Sequence, residues 1–217
     1  MTASEVRVLP HVLAVLEEAG RRGFLGPRPA VDHADHARGF AAAWHEIVGE
    51  AAPILACDLG SGGGVPGLVL ASGCWPETKW TLIDAMAKRC AFLAEAVQEL
   101  GLEDRVTIEC GRAEQIGRSG QPLRGAFDLV TSRGFGRPST TAETAAPLLV
   151  AGGALVVSEP PDSDGSRWNA DGCSSVGLTP MRVVRFPTAG FMVLRQLTSV
   201  PDRFPRSPKG QSRSPIF

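Results

Sequence analysis

The spacing of apolar positions changes part-way along the chain. Near the N-terminus Val8, Val12, Val15 and Leu16 recur at near-helical intervals. They predict a helix over residues 4–18, ended by Gly20 and Gly23. A second helix is expected over residues 32–48, with Asp32 as its cap. Short apolar runs then alternate with helical stretches. Strands are expected at 54–58, 80–84, 105–110, 127–132 and 154–159. Between them the pattern predicts a helix at 66–72 opened by Pro66 and one at 86–100. The latter carries Phe92, Leu93, Ala96, Val97 and Leu100 on one side and is stopped by Gly101. A short turn at 113–116 and a helix at 140–149, closed by Ala151-Gly152-Gly153, complete the series. Five strands alternating with helices imply a parallel sheet covered on both faces. Residues 162–175 are polar and read as helical or loose. Residues 181–186 and 191–198 flank Pro187-Thr188-Ala189-Gly190 and read as an antiparallel hairpin. The expected fold is α/β, a Rossmann-like doubly wound sheet with a C-terminal hairpin and short N-terminal helices. Residues 1–50 form a helical extension, 51–200 the α/β domain, and 201–217 a basic tail rich in Pro, Ser and Arg, without regular structure.

Composition adds exclusions. With 43% hydrophobic and 21% charged residues, the chain reads as a soluble globular protein. Its longest apolar stretch, 148–157, falls far short of the ~20 residues that cross a bilayer. No basic-then-apolar leader pattern is present, so the expected location is the cytoplasm. The five cysteines are an odd number without a C-x-x-C pair, which suggests neither a disulfide framework nor a metal site. Cys57 and Cys110 are expected to be small buried hydrophobes. A net charge of −1 argues against a globally basic nucleic-acid binder. Residues 180–217, however, hold seven basic side chains against the single acid Asp202, a local asymmetry that hints at a partner.

The chemistry gathers at strand ends. Asp58-Leu59-Gly60-Ser61-Gly62-Gly63-Gly64-Val65-Pro66-Gly67 follows the first strand of the sheet. Glycines 60, 62 and 64 allow a tight turn and close backbone approach to a ligand, and ligands of open α/β sheets sit at the strands' carboxyl ends. Gly62, Gly64 and Gly67 also match the dinucleotide fingerprint. Asp58 tells against that reading, because an anion would repel a pyrophosphate, and it suits the ammonium group of S-adenosylmethionine. Asp84 closes the second strand, about 20 residues on, where a carboxylate accepts ribose hydroxyls; as a bland alternative it caps the following helix. Ala85 adjoins it. Ala113 and Glu114 follow the third strand as candidates for adenine contacts. Arg133 follows the fourth, able to pair with a carboxylate or phosphate. The cofactor set is therefore Asp58, Gly60, Ser61, Gly62, Gly64, Val65, Asp84, Ala85, Ala113, Glu114 and Arg133.

Several segments resemble the small-subunit ribosomal RNA methyltransferase G family (RsmG, also called GidB). They are D-L-G-S-G-G-G-V-P-G-L-V-L-A (58–71), L-I-D-A-M-A-K-R-C-A-F-L (82–93), G-R-A-E (111–114), F-D-L-V-T-S-R-G (127–134), L-L-V-A-G-G-A-L (148–155) and R-F-P-R-S-P-K-G (203–210). The resemblance implies a class I methyltransferase fold, S-adenosylmethionine as cofactor, and transfer to guanine N7 of 16S ribosomal RNA. It implies cofactor contacts at Gly60, Val65, Ala113, Glu114 and Arg133. It also implies RNA contacts at Lys88, Arg89 and Arg206, with ribosomal RNA or a ribosomal particle as partner; Arg133 and Lys209 join them as candidates by charge, and a monomer is the default state. The sequence departs from the family at Ser158-Glu159-Pro160-Pro161, where Lys-Gly is usual, and at Gly134, where alanine is usual.

Guanine N7 has a lone pair and no proton to lose, so no general base is required, and no residue is singled out as catalytic. His11, His33, His36 and His45 all lie in the N-terminal part and are expected to be surface or capping residues, although His33 and His36 share a helix face. Three other readings stay open: a small-molecule methyltransferase, a non-catalytic module that binds S-adenosylmethionine, and a dinucleotide-dependent enzyme.

Overall fold

The computed structural model describes residues 9–217. The chain begins with α1 (Pro10–Arg21), which buries Val12, Val15, Leu16 and Ala19. Residues 4–8 of the expected first helix lie outside the described residues. The next helix, α2 (Ala30–Ile47), starts two residues before the expected position. Pro29 occupies its cap position and no side chain caps it, so Asp32 is not the cap. Asp32 sits instead in the first turn, where its charge complements the helix dipole.

The alternating region follows as β1 (Leu55–Leu59), α3 (Gly67–Val69) with a π turn over Leu70–Cys74, β2 (Lys79–Asp84), α4 (Ala87–Glu99), β3 (Val106–Cys110) and α5 (Ala113–Ile116). Then come β4 (Phe127–Ser132), α6 (Pro138–Ala145) and β5 (Leu149–Glu159). The chain ends with α7 (Ala170–Ser174), β6 (Leu178–Phe186), β7 (Ala189–Gln196) and α8 (Pro208–Arg213). The strands form one sheet in the order β3-β2-β1-β4-β5-β7-β6. The first five strands are parallel, and β7 runs antiparallel between β5 and β6. The expected doubly wound sheet with a C-terminal hairpin is the one that forms.

Period-2 alternation assigns each strand residue to a face. Ala56, Leu82, Leu129 and Val156 point to the side covered by Phe40 and Trp44 of α2, Leu68 of α3 and Leu93 of α4. Cys57, Ile83, Val130 and Leu155 point to the other side, against Ala142 and Ala145 of α6, Cys173 of α7 and Phe204. Cys110 departs from expectation: it is exposed. The cause is topological, since β3 is the edge strand of the sheet.

Two further differences arise from pairing and packing. Strand β5 begins at Leu149, five residues before the expected start, because Leu149 already pairs with Phe127 before a bulge carries the chain to the Leu129–Ala154 pair. The tail is ordered rather than irregular. Helix α8 is capped by Ser207, whose side chain accepts from Gly210 N. Arg124 ties the approach to it, donating to the carbonyls of Gly117, Val200 and Phe204 at 2.9, 3.0 and 2.7 Å. The Arg206 guanidinium grips the buried Glu143 carboxylate of α6 at 2.8 and 2.6 Å.

Candidate functional site

The glycine loop leaves β1 and is held from two sides. Gly60 N and Ser61 N donate to Ile83 O at 2.9 and 3.0 Å. Gly62 N donates to Asp84 Oδ2 at 3.0 Å, and Met86 N donates to Asp84 Oδ1 at 2.9 Å. The carboxylate that ends β2 thus joins the loop to the start of α4. Asp84 is not the cap residue of that helix, which is Met86. Gly60 has φ of 74°, in the region that glycine alone enters freely. A Cβ there would lie 2.8 Å from the Phe135 ring.

Beneath the loop, Asp58 is 1% exposed. It accepts from Thr131 Oγ1 at 2.9 Å and from Gly67 N at 3.1 Å. Gly67 has no room for a side chain: a Cβ would lie 2.9 Å from the Asp58 carboxylate and 2.5 Å from Leu82. The last glycine of the apparent dinucleotide fingerprint is therefore there for Asp58. Burial pushes the Asp58 pKa up to about 6, opposed by the bonds from Thr131, Gly67 and Ser61 and by the charge of Arg133. Asp58 acts on the loop from inside.

The structure gathers most of the other expected cofactor residues at the same edge. Ala85 is exposed beside Asp84, whereas Ala113 and Glu114 are buried at the start of α5. That turn is joined to β2 by Gly111 N donating to Asp84 O at 3.0 Å. Ser61 is buried, its hydroxyl donating to Asp58 O at 2.8 Å. Val65 is buried against Val12 and Leu16 of α1 and Ala37 of α2. Gly64 has no room for a Cβ because Leu68 fills the space. Arg89 approaches Asp84 Oδ2 at 3.6 Å, and its buried Nε has no acceptor among the described residues. Lys88 is exposed, its ammonium 5.8 Å from the Phe24 ring centroid. Lys209 is exposed on α8. Arg206 lies apart from this group, with its fork on Glu143.

A cleft of about 460 Å³ opens beyond β4 and β5, lined by Arg28, His33, His36, Arg133, Ser158 and Pro160 among others. That is within the usual ligand-site range of about 300–1,000 Å³. His33 Nε2 lies 3.1 Å from Gly26 O, and His33 Nδ1 lies 3.0 Å from Arg133 Nη2. A carbonyl only accepts, so Nε2 carries the ring proton and bare Nδ1 accepts from the arginine. Burial pushes the His33 pKa down, with Arg133 adding to the effect. His36 Nε2 pairs with Ser158 Oγ at 2.9 Å. Burial, then the charges of Arg133 and Arg28, lower the His36 pKa to about 4. Burial likewise lowers that of Arg133, against the charge of Asp58. His33 and His36 were expected to be surface or capping residues and instead line this cleft, whereas His11 is exposed and His45 bonds Gly49 O at the end of α2. The partners of His33 and His36 stand 100 and 122 residues away, so no spacing rule could have found them.

The sheet order, the glycine loop at the end of β1 and the acidic residue at the end of β2 define a class I methyltransferase. Solved structures share the architecture. A putative O-methyltransferase from Klebsiella pneumoniae superposes with a TM-score of 0.62 at 17% identity, covering 90% of this chain and 93% of that one. A methyltransferase from Geobacter sulfurreducens gives 0.61 at 15% identity, covering 90% and 92%. The family model for rRNA small subunit methyltransferase G (GidB) matches residues 41–162. The ribosomal RNA small subunit methyltransferase G of Lactobacillus johnsonii is 32% identical over 74% of this chain and 69% of its own length. That of Moorella thermoacetica is 34% identical over 73% and 68%. The Salinispora tropica protein is 41% identical over 62% of this chain and 55% of its own length. The chain belongs to the rRNA small subunit methyltransferase G family.

Proposed function

We propose that the chain transfers a methyl group from S-adenosylmethionine to N7 of a guanine in 16S ribosomal RNA, acting as a monomer in the cytoplasm. One observation carries this reading. The glycine loop is pinned to Asp84, and the sequence that builds both lies inside the segment matched by the family model. The residues present fit the cofactor. Asp84 keeps lone pairs for ribose hydroxyls beyond its two backbone bonds, and Arg89 Nε next to it lacks an acceptor among the described residues. Gly60 and Gly64 fit the turn against Phe135 and Leu68, and Gly62 leaves room at its backbone; Ala113 and Glu114 would flank the adenine, and Arg133 would pair with the cofactor's carboxylate. Ser61, Val65 and Asp58 support this surface from within. Ala85 contributes at the ribose edge.

Bound S-adenosylmethionine supplies an electrophilic methyl group on a sulfonium. The guanine N7 lone pair would take that methyl group, and the electron pair of the broken C–S bond would remain on sulfur. No proton leaves the base, so the protein's work is positioning and exclusion of water. Lys88, Arg89 and Lys209 offer exposed or partly exposed charge to RNA phosphates. Calorimetry with S-adenosylmethionine tests the cofactor reading. Wild type is expected to bind in the micromolar range. Gly60→Arg and Asp84→Ala are expected to lose binding while still unfolding cooperatively on heating. Absence of binding by wild type sinks the proposal. Methylation of unmodified small ribosomal subunits, mapped at the modified base, then tests the acceptor.

A further inference from the structure

We propose that the cleft bounded by Arg28, Arg133 and the His36–Ser158 pair is the pocket for the acceptor base, and that this pair reads guanine O6. The inference rests on the methyltransferase reading above and goes beyond it by assigning the acceptor site.

Position is the first argument. The loop and Asp84 occupy the ends of β1 and β2, whereas the cleft lies at the ends of β4 and β5, beside Arg133 and Gly134. It is the neighbouring compartment along the same sheet edge, next to the loop that would hold the cofactor.

Charge is the second. Arg28 and Arg133 both line the cleft, and the Arg28 guanidinium has no acceptor among the described residues. The carboxylate of Glu159, on the same wall, is already occupied: Ser163 Oγ donates to it at 2.7 Å, Trp168 Nε1 donates at 3.2 Å, and Arg167 stands 3.7 Å away. With Arg133 kept for the cofactor's carboxylate, the cleft offers the Arg28 guanidinium to a nucleotide's phosphate, and the anion on its wall, Glu159, is engaged by Ser163, Trp168 and Arg167.

Hydrogen-bond chemistry is the third. The edge of guanine that carries N7 also carries O6, and both are acceptors. A base that offers N7 to a methyl group is thus read by a donor at O6. The His36–Ser158 pair holds one proton between its members. If His36 Nε2–H donates, the Ser158 hydroxyl proton is free; if Ser158 donates, His36 Nδ1–H is free. In either tautomer one uncharged donor remains. The groups around His36 are Arg28, Arg133, His33, Asp32 and Asp35, and its burial with the two arginines keeps the ring neutral. The Phe40 and Phe191 rings fix its orientation, with centroids at 5.9 and 5.2 Å.

The test uses the full chain and a small-subunit ribosomal RNA whose methylated guanosine has been mapped, alongside the same RNA with 2-aminopurine, which lacks O6, at that position. Ser158→Ala is the main variant and His36→Asn the second. Both are expected to bind S-adenosylmethionine within about twofold of wild type. Ser158→Ala is expected to lower kcat/KM on the guanosine RNA about 3- to 10-fold, the loss of one neutral hydrogen bond. It should also narrow the wild-type preference for guanosine over 2-aminopurine by the same factor. Variants that methylate at the wild-type rate overturn the proposal, as does Ser158→Ala slowing both RNAs equally. Both results leave the methyltransferase reading intact. A wild-type protein that binds S-adenosylmethionine but methylates no ribosomal RNA removes that reading and this pocket with it.

Discussion

Arg206 resembles a family position expected near RNA, yet its guanidinium is bound inside the protein. Replacing it separates the two roles. Glu143 has a side chain only 1% exposed, and it accepts three bonds from Arg206: from the backbone N at 2.9 Å, Nε at 2.8 Å and Nη2 at 2.6 Å. Arg206→Ala removes the two charged donors and leaves a buried carboxylate with one backbone N–H. Breaking a buried pair from one side costs about 3–5 kcal/mol. The Arg206 side chain is 28% exposed, so water reaches the vacated space and the lower end applies, about 3 kcal/mol. At about 2–4 °C per kcal/mol for a chain of this size, Tm should fall by about 6–12 °C. Arg206→Lys keeps the charge but not the fork and should cost about half as much. Glu143→Leu combined with Arg206→Met removes both charges and should recover most of the loss. Thermal and urea unfolding followed by circular dichroism measure this, with ribosomal RNA binding in parallel. An Arg206→Ala protein with unchanged Tm and weakened, less salt-sensitive RNA binding would refute the reasoning.

The buried Asp58 gives a pH-dependent prediction. Its pKa is raised from 3.8 to about 6, so its contribution is fully present below about pH 3.8 and is lost as pH rises through about 6. Asp58→Asn should therefore stabilise the protein at pH 8 relative to pH 4, by up to about 3 kcal/mol; an equal difference at both pH values contradicts the assignment. His36 acts in the opposite direction. Its pKa falls to about 4 from 6.5, so stability should decline as pH drops from 6.5 towards 4, by about 1–3 kcal/mol. Subtracting the pH profile of His36→Asn from wild type isolates this slope, and a flat difference rules it out. Gly67→Ala places a methyl group against Asp58 and Leu82 and should cost about 1–3 kcal/mol. It should also weaken S-adenosylmethionine binding in calorimetry; an unperturbed variant would show that the loop tolerates displacement there.

The sequence by itself determined the alternation that makes the sheet. Strand β4 and helix α5 fall where the apolar pattern puts them, and the other core strands start or end within a few residues of it. It also marked the glycine loop and Asp84, because tight turns and strand-end carboxylates are local features carried by residue type. Tertiary structure decided what depended on a distant partner. Composition marked residues 201–217 as a loose tail, but Arg124 and Glu143 hold that segment on the domain. Cys110 looked buried within an apolar run, and only the strand order made β3 an edge. His33 and His36 looked like surface residues of one helix until folding placed Arg133 and Ser158 beside them. Periodicity reports which face a residue occupies within its own element. Which charge or hydroxyl it meets across the fold is set by packing, and the cleft was legible only there.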